Sequence, residues 1–523
     1  MKVQQLYVTL VFLLGTSACE LVGKCKTDAD CQALHAEAYC YTGGYTKPGS
    51  DGICSYRASA PVESDKTPVK EAEKGPGDSS AKPEPAPGPP TIHRFGPAQA
   101  GYGTTLRIHG ENFSTVSSEN HVTLAGLPVP TANILSSTKT EITLKVPKNT
   151  LCTGPLQMCT GPVQLLVNDQ TATSSATFSY ELTATVTTFA GDGTAGLRDG
   201  LQEMAWFDRP WGLALDVENN LYVADRYNHR IRKVTPEGDV STFAGVGLTG
   251  RDNGRLENGR ATGSARFNHP TSMLIDTAGN FYVADSWNDH IRKITTSGTV
   301  SNFAGADGYC STSSPACFDG PSSIVADASG NFYVVDAYNH RIVKVGPSGG
   351  TLSTFAGASE GREGSGFVNA TGANARFRQP EGIAIDAAGN LYVTDTENHC
   401  IRKITQDRVV STFAGKCTER GFEDGMGTDA RFNMPNGIAM DAKTGTLYVA
   451  DSDNHRIRTL SPEGYVSTLA GSGPTGCEYG AFADGAGTSV ARFDHPVGIA
   501  VDKEGTLYVA DSRNHRVRKI IME

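Results

Sequence analysis

Beyond an apolar run that ends at Leu14, the chain has no segment long and apolar enough to span a membrane. Long helical periodicity is missing as well. With 59 glycines spread through 523 residues, this excludes a helix-built fold and leaves short strands joined by turns. There is no basic surplus: 46 Lys and Arg face 56 Asp and Glu, a net charge of -10. That balance argues against a nucleic-acid partner, whose phosphates need a basic face. No two cysteines have the C-x-x-C spacing, so the usual signature of a zinc site is missing.

The chain has repetition in place of these features. L-Y-V-A-D-x-x-N-H-R-I-R-K-V and its near-copies start at Leu221, Phe281, Phe332, Leu391, Leu447 and Leu507. A fixed-period repeat buries the apolar faces of each unit on its neighbours, so one motif sets the architecture of most of the protein. The copies are also an internal control. Positions held in all six read as scaffold, and positions that differ are where a specific function could sit.

The N-terminus reads as an export signal over residues 1–18: Lys2, the apolar run from Leu6 to Leu14, then Gly15-Thr16-Ser17-Ala18-Cys19. Small residues before a cysteine resemble a bacterial lipobox, which implies lipidation at Cys19. Thr16 departs from the usual Leu at its place. Twelve cysteines in an exported chain read mostly as disulfides. Cys25, Cys31, Cys40 and Cys54 form a cluster within a lipid-anchored segment, residues 19–57. Three connectivities are open to them, and a metal site is the alternative. Residues 58–89, rich in Pro, Glu, Lys and Ser, read as a disordered stalk.

Residues 90–181 alternate in short runs, as at Thr105–Ile108, Val122–Leu124, Ile142–Val146 and Val163–Val167, the pattern of a β-sandwich. G-T-T-L-R-I-H-G-E-N-F from Gly103, Pro147 after a strand and the closing Phe178-Ser179-Tyr180 resemble the IPT/TIG family of immunoglobulin-like domains. The resemblance implies a spacer or binding platform. Cys152 and Cys159 flank a short turn and are expected to pair.

Each repeat over residues 184–523 holds P-x-G-I-A-x-D, L-Y-V-A-D, N-H-R-I-R-K and S-T-F-A-G, four short strands and so one propeller blade. The Asn-His motif and its flanks resemble the NHL-repeat family, including the propellers of teneurin-like surface proteins. Six copies imply a six-bladed β-propeller, and the fold class expected for the whole chain is all-β. The first S-T-F-A-G-type strand, Thr187 to Gly191, precedes the first blade, and the chain ends after a third strand. The N-terminal strand is therefore expected to complete the last blade and leave no open edge.

One propeller face collects the Asn-His turns, the long loops and the residue opening each inner strand. The F-x-x-P phenylalanines (Phe207, Phe267, Phe318, Phe377, Phe432, Phe493) are expected to anchor blade to blade, and Arg266, Arg376, Arg431 and Arg492 before four of them to brace loops. The residue after each proline varies: Trp211, Thr271, Ser322, Glu381, Asn436, Val497. The residue before each turn Asn varies too: Tyr227, Trp287, Tyr338, Glu397, Asp453, Arg513. All three tryptophans fall on this face. Trp and Tyr pair a large rigid surface with one polar handle, and partners are often gripped by them. Trp206, Trp211, Tyr227, Trp287 and Tyr338, with Glu381 and Asn436 near the channel mouth, are therefore the candidate site for a protein or glycan partner.

Competing chemistry is weaker. A His at every blade tip (His229, His340, His399, His455, His515) reads as a turn and packing residue, and His269 and His495 are poorly placed for one ion. The acids that enter the tight turn after each inner strand, Asp216, Asp276, Asp327, Asp386, Asp441 and Asp502, read as turn caps, and the acids that end the L-Y-V-A-D strands, Asp225, Asp285, Asp336, Asp395, Asp451 and Asp511, are given the same reading. Cys400 and Cys417 top neighbouring strands and are expected to bridge. Cys310 and Cys317 would close their own loop, leaving Cys477 over. No catalytic constellation, cofactor motif or metal site emerges. The expectation is a non-catalytic binding module, lipid-anchored at the bacterial envelope and presenting its loop-rich face. The alternative is a propeller lyase or hydrolase with a metal in the central channel.

Overall fold

Short alternating runs become strands wherever one face can be buried. The computed structural model describes residues 88–101, 104–147, 160–180, 184–255, 264–305, 317–358, 361–473, 475 and 479–522. The export signal, Cys19, Cys25, Cys31, Cys40, Cys54, nearly all of the stalk, Cys152, Cys159, Cys310 and Cys477 lie outside these residues. Among the described residues every helix is a short 3-10 turn, and none is long and apolar enough to cross a membrane.

The segment from Thr91 to Tyr180 forms two sheets. One orders Thr91–Gly96, Thr105–Glu111, Glu141–Lys145 and Ile134–Ser137. The other orders Gln99–Ala100, Gln170–Tyr180, Thr160–Val167, His121–Leu124 and Leu127–Pro128. Alternate residues of both (Leu106, Ile108, Val122, Leu124, Ile142, Leu144, Val163, Leu165, Phe178) meet in one core, as in a sandwich.

The repeats form six antiparallel sheets. Their inner strands are Pro210–Leu215, Pro270–Ile275, Pro321–Ala326, Pro380–Ile385, Pro435–Met440 and Pro496–Val501. Each inner strand contacts the next, and the sixth contacts the first, so the blades close into a ring around a channel. Closure follows the expected route: Ala184–Ala190 pairs antiparallel with Arg516–Met522 as the outer strand of blade six. The backbones crowd at the channel, and a Cβ on Gly498 would collide with the Trp211 carbonyl. This explains the glycine in P-x-G there.

A buried ionic knot holds each blade. The wholly buried Asp225 accepts the Asp208 backbone N–H (2.8 Å), the Asn228 side-chain amide (2.8 Å) and Arg232 Nη1 (2.8 Å). Burial pushes its carboxyl up to about 6, opposed by Arg232 and the amide donors, so it stays ionised at neutral pH. Arg232 lies over the buried Phe207 ring, 5.3 Å from its centre, and reaches the long loop at Asp199 (2.6 Å). Arg402 repeats this with Asp395 (2.6 Å), Phe377 and Asn369. Blade three has Val343 at this place, and Arg341 binds Asp336 through Nε (2.8 Å) instead. Both sets of acids accept backbone N–H groups: Asp225 and its counterparts take one each, and Asp216 accepts from the backbones of Glu218 and Asn220, both at 2.9 Å. One role had been expected for both sets. The structure separates them, because only the strand-ending acids are sealed under a guanidinium.

A histidine latch joins blade to blade. His229, His340, His399, His455 and His515 sit in left-handed turns. The Nδ1 atom of each accepts a backbone N–H just before the next inner-strand proline, from His269, Gln379, Met434, His495 and Arg209 respectively, at 3.0–3.2 Å. In blade two Asp289 Oδ1 takes the Gly320 N–H (3.0 Å). All six F-x-x-P phenylalanines are buried. Arg266 and Arg431 pair with loop acids Asp252 (3.1 Å) and Glu419 (3.6 Å), as expected for braces. Cys400 and Cys417 are bridged, with Cα atoms 5.0 Å apart. Cys317 is also disulfide-bonded, to a partner outside the described residues.

Candidate functional site

On the face carrying the turns, the inner strands open into a cavity of about 200 Å³ at the channel mouth. The residue after each inner-strand proline supplies much of its wall, since that residue is the first to face the axis: Trp211, Thr271, Ser322, Glu381 and Asn436 line it. Blade-tip turns and the residues before the prolines add Arg226, Tyr338, Gln379 and His495. The candidate residues Trp211, Tyr338, Glu381 and Asn436 are thus brought together.

The other three candidates lie elsewhere. Tyr227 and Trp287 stand on the rim, 41% and 52% exposed. His269 lies between them, stacked on Trp287 with ring centres 3.8 Å apart and edge-on to Tyr227 at 5.0 Å. Burial, with His229 and Arg226 nearby, pushes His269 down to about 4. This rim cluster is therefore uncharged at neutral pH. Trp206 belongs to neither group. Its indole N–H donates to Asp192 (2.8 Å) and Arg198 covers its ring, so its interactions lie within its own loop.

Arg226 was missed in the sequence reading and is central to the cavity. Its guanidinium lies 4.0 Å from the centre of the Trp211 ring, a cation–π distance. Its Nε is buried without a hydrogen-bond partner, and among the described residues none hydrogen-bonds the rest of the group. Glu381 faces the same cavity from blade four. Burial pushes its carboxyl up to about 7, against the pull of Arg226 and the hydrogen bonds of Gln379 and Ser322. The six repeats held a signal for Arg226. The residue after the strand-ending Asp is Ser286, Ala337, Thr396, Ser452 and Ser512 in the other blades. Thr396 and Ser452 use their hydroxyls to hold the next blade's proline carbonyl, at 2.7 and 2.6 Å.

Chemically, this arrangement offers one cation, one carboxylate near neutrality, an aromatic wall and neutral polar groups. Among the described residues no three His, Cys, Asp or Glu side chains converge as metal ligands would.

Comparison with known proteins places this architecture. The NHL-repeat profile matches residues 207–234, 318–345, 377–404, 432–460 and 493–520, and the IPT/TIG profile matches 90–180. Blade two, with its Asp289 latch, falls between the matched segments. The chain carries NHL repeats and an IPT/TIG domain. It is 29% identical to NHL repeat-containing protein 2 of Bos taurus over 64% of this chain and 42% of that protein. It is 28% identical to Teneurin-3 of Danio rerio over 62% of this chain and 12% of that protein. It thus spans less than half the length of these relatives. Among solved structures, a protein of unknown function from Bacteroides thetaiotaomicron aligns with TM-score 0.52 and 21% identity over 85% of this chain and all of that one. An auxiliary nutrient binding protein from the same organism aligns with TM-score 0.51 and 20% identity, covering 83% and 98%. At these identities the likeness establishes the fold.

Proposed function

We propose that this protein is a binding module, exported and lipid-anchored at the cell envelope through Cys19, that presents its loop-rich propeller face to a protein or glycan partner. The observation that carries the reading is the rim cluster of Tyr227, His269 and Trp287. Tyr227 and Trp287 are exposed and packed on the buried, uncharged His269 ring, edge-on and stacked respectively, on a turn scaffold fixed by the latches and knots beneath. Rigid exposed aromatics lose little freedom on binding, and for that reason they anchor interfaces. The nutrient-binding description of one structural neighbour is consistent with this use of the fold. The N-terminal apolar run and Ala18-Cys19 support the envelope placement, and labelling with a lipid precursor, lost in Cys19→Ala, tests it.

The binding reading is tested by capture on the full chain, disulfides oxidised, from solubilised envelope and wall polysaccharide. A partner held by the native chain and lost by Tyr227→Ala/Trp287→Ala is expected. A partner held equally by both would move the interface off the rim.

An enzyme acting in the channel is the second reading. It is favoured by Glu381, whose carboxyl near 7 suits a general acid or base. Turnover of any envelope polymer that vanishes in Glu381→Gln would establish it.

A further inference from the structure

The channel mouth asks for a ligand of its own, separate from the rim. Five blades place a small residue after the strand-ending Asp, and in two of them its hydroxyl ties down the neighbouring blade. Blade one gives that tie up for Arg226. The visible return is the contact with the Trp211 ring; the guanidinium makes no hydrogen bond to a described residue, and its Nε is buried and unpartnered. Leaving a buried donor unmatched is costly, the more so when it is charged. A bound group that accepts from the planar fork would relieve that cost.

The surroundings narrow what the group can be. Trp211 covers one face of the guanidinium, so an acceptor must approach its edge rather than that face, as a planar carboxylate does. Glu381 shares the cavity and would repel a second negative charge, which disfavours a phosphate dianion. It would welcome a donor, and the Asn436 amide lies in the same wall. The volume of about 200 Å³ falls below that of pockets for drug-sized ligands, roughly 300–1,000 Å³. It suits a molecule of a few carbons or one sugar ring.

We infer that the channel mouth binds a small organic carboxylate that also carries a hydrogen-bond donor, with the carboxylate on Arg226 and the donor facing Glu381 across the axis. Amino acids, hydroxy acids and sugar acids share this chemistry. The inference goes beyond the partner reading above and stands on different residues.

The test is calorimetric titration of the oxidised full chain with L-serine, L-lactate, D-glucuronate, D-glucose and inorganic phosphate. At least one of the three carboxylates is expected to bind at one saturable site, and the one that binds names the source. Glucose and phosphate are expected to bind at least tenfold more weakly. Arg226→Ser, which installs the residue of blades two, five and six, is expected to lose that affinity at least tenfold while melting no lower than the native chain. Arg226→Lys should recover only part of it, because an ammonium cannot form the fork. Native affinity in Arg226→Ser, preference for phosphate, or no binding of any of the three carboxylates would overturn the inference. Carboxylate binding that survives in Tyr227→Ala/Trp287→Ala separates this site from the rim, whatever the capture experiment returns.

Discussion

At the scale of single residues, the turn histidines work as acceptors. A latch through Nδ1 requires the neutral Nε2–H tautomer. Burial lowers the pKa of His229, His399 and His515 from the ordinary value. In the acid range the unfolded chain takes up these protons first. The latch contribution is therefore full above about 6.5 and fades as pH falls below it. NMR titration should find all three histidines protonating below the free value. Blade two supplies its own control in Asp289: His229→Asp should cost under about 1 kcal/mol, and His229→Ala about 1–3 kcal/mol from the orphaned N–H, as read by urea unfolding. Glu381 has the opposite sign. The charges facing it are Arg226, Glu397 (paired with Arg378 at 2.8 Å) and His495 (bonded to Asp453 at 3.1 Å). As pH falls from 8 to 6 the Glu381 carboxyl becomes neutral while Arg226 stays charged, so affinity for acetate, which lacks a second donor, should rise. Glu381→Gln should flatten that dependence. Of these residues, Trp211, Glu381 and Asn436 were legible in the sequence as variable positions opening known strands. Arg226 differed only as one long cation at a position that is small in the other five blades, and its place beside Trp211 depends on how the blades pack.

Among the elements, the blade depends on a charge that cannot be left alone. Asp395 and Arg402 are both wholly buried, and deleting one partner leaves the other unpaired in the core. Asp395→Ala and Arg402→Ala should each cost about 3–5 kcal/mol. Arg341→Ala should cost as much, because Arg341 does in blade three what the second arginine of the strand does elsewhere. Arg230→Ala, which among the described residues removes hydrogen bonds to the Asn228 and Val246 carbonyls at 3.1 and 2.8 Å, should cost about 1 kcal/mol. Urea midpoints of the four variants check this ranking. The knot was not legible beforehand. Two sets of six aspartates end strands in the same sequence style, and only tertiary packing shows which set lies under a guanidinium.

For the whole molecule, the six-fold periodicity made the architecture readable, and counting S-T-F-A-G strands against blades exposed the closure. Distances across the channel were not readable, because Arg226 and Glu381 come from blades one and four and meet only when the ring closes. If closure depends on Ala184–Ala190, excising residues 184–190 bares the edge of Arg516–Met522. The shortened chain should then self-associate in sedimentation, whereas a monomer with the native urea midpoint would assign closure to packing alone.

The scarcity of tryptophan makes the channel mouth easy to watch. Trp206→Phe/Trp287→Phe leaves Trp211 as the only tryptophan, with Arg226 4.0 Å from its ring centre. Titrating this protein with L-serine, L-lactate and D-glucuronate should change Trp211 emission saturably with at least one of them, and the change should vanish when Arg226→Ser is added. Flat emission with all three, or the same curve in the Arg226→Ser protein, would contradict the account.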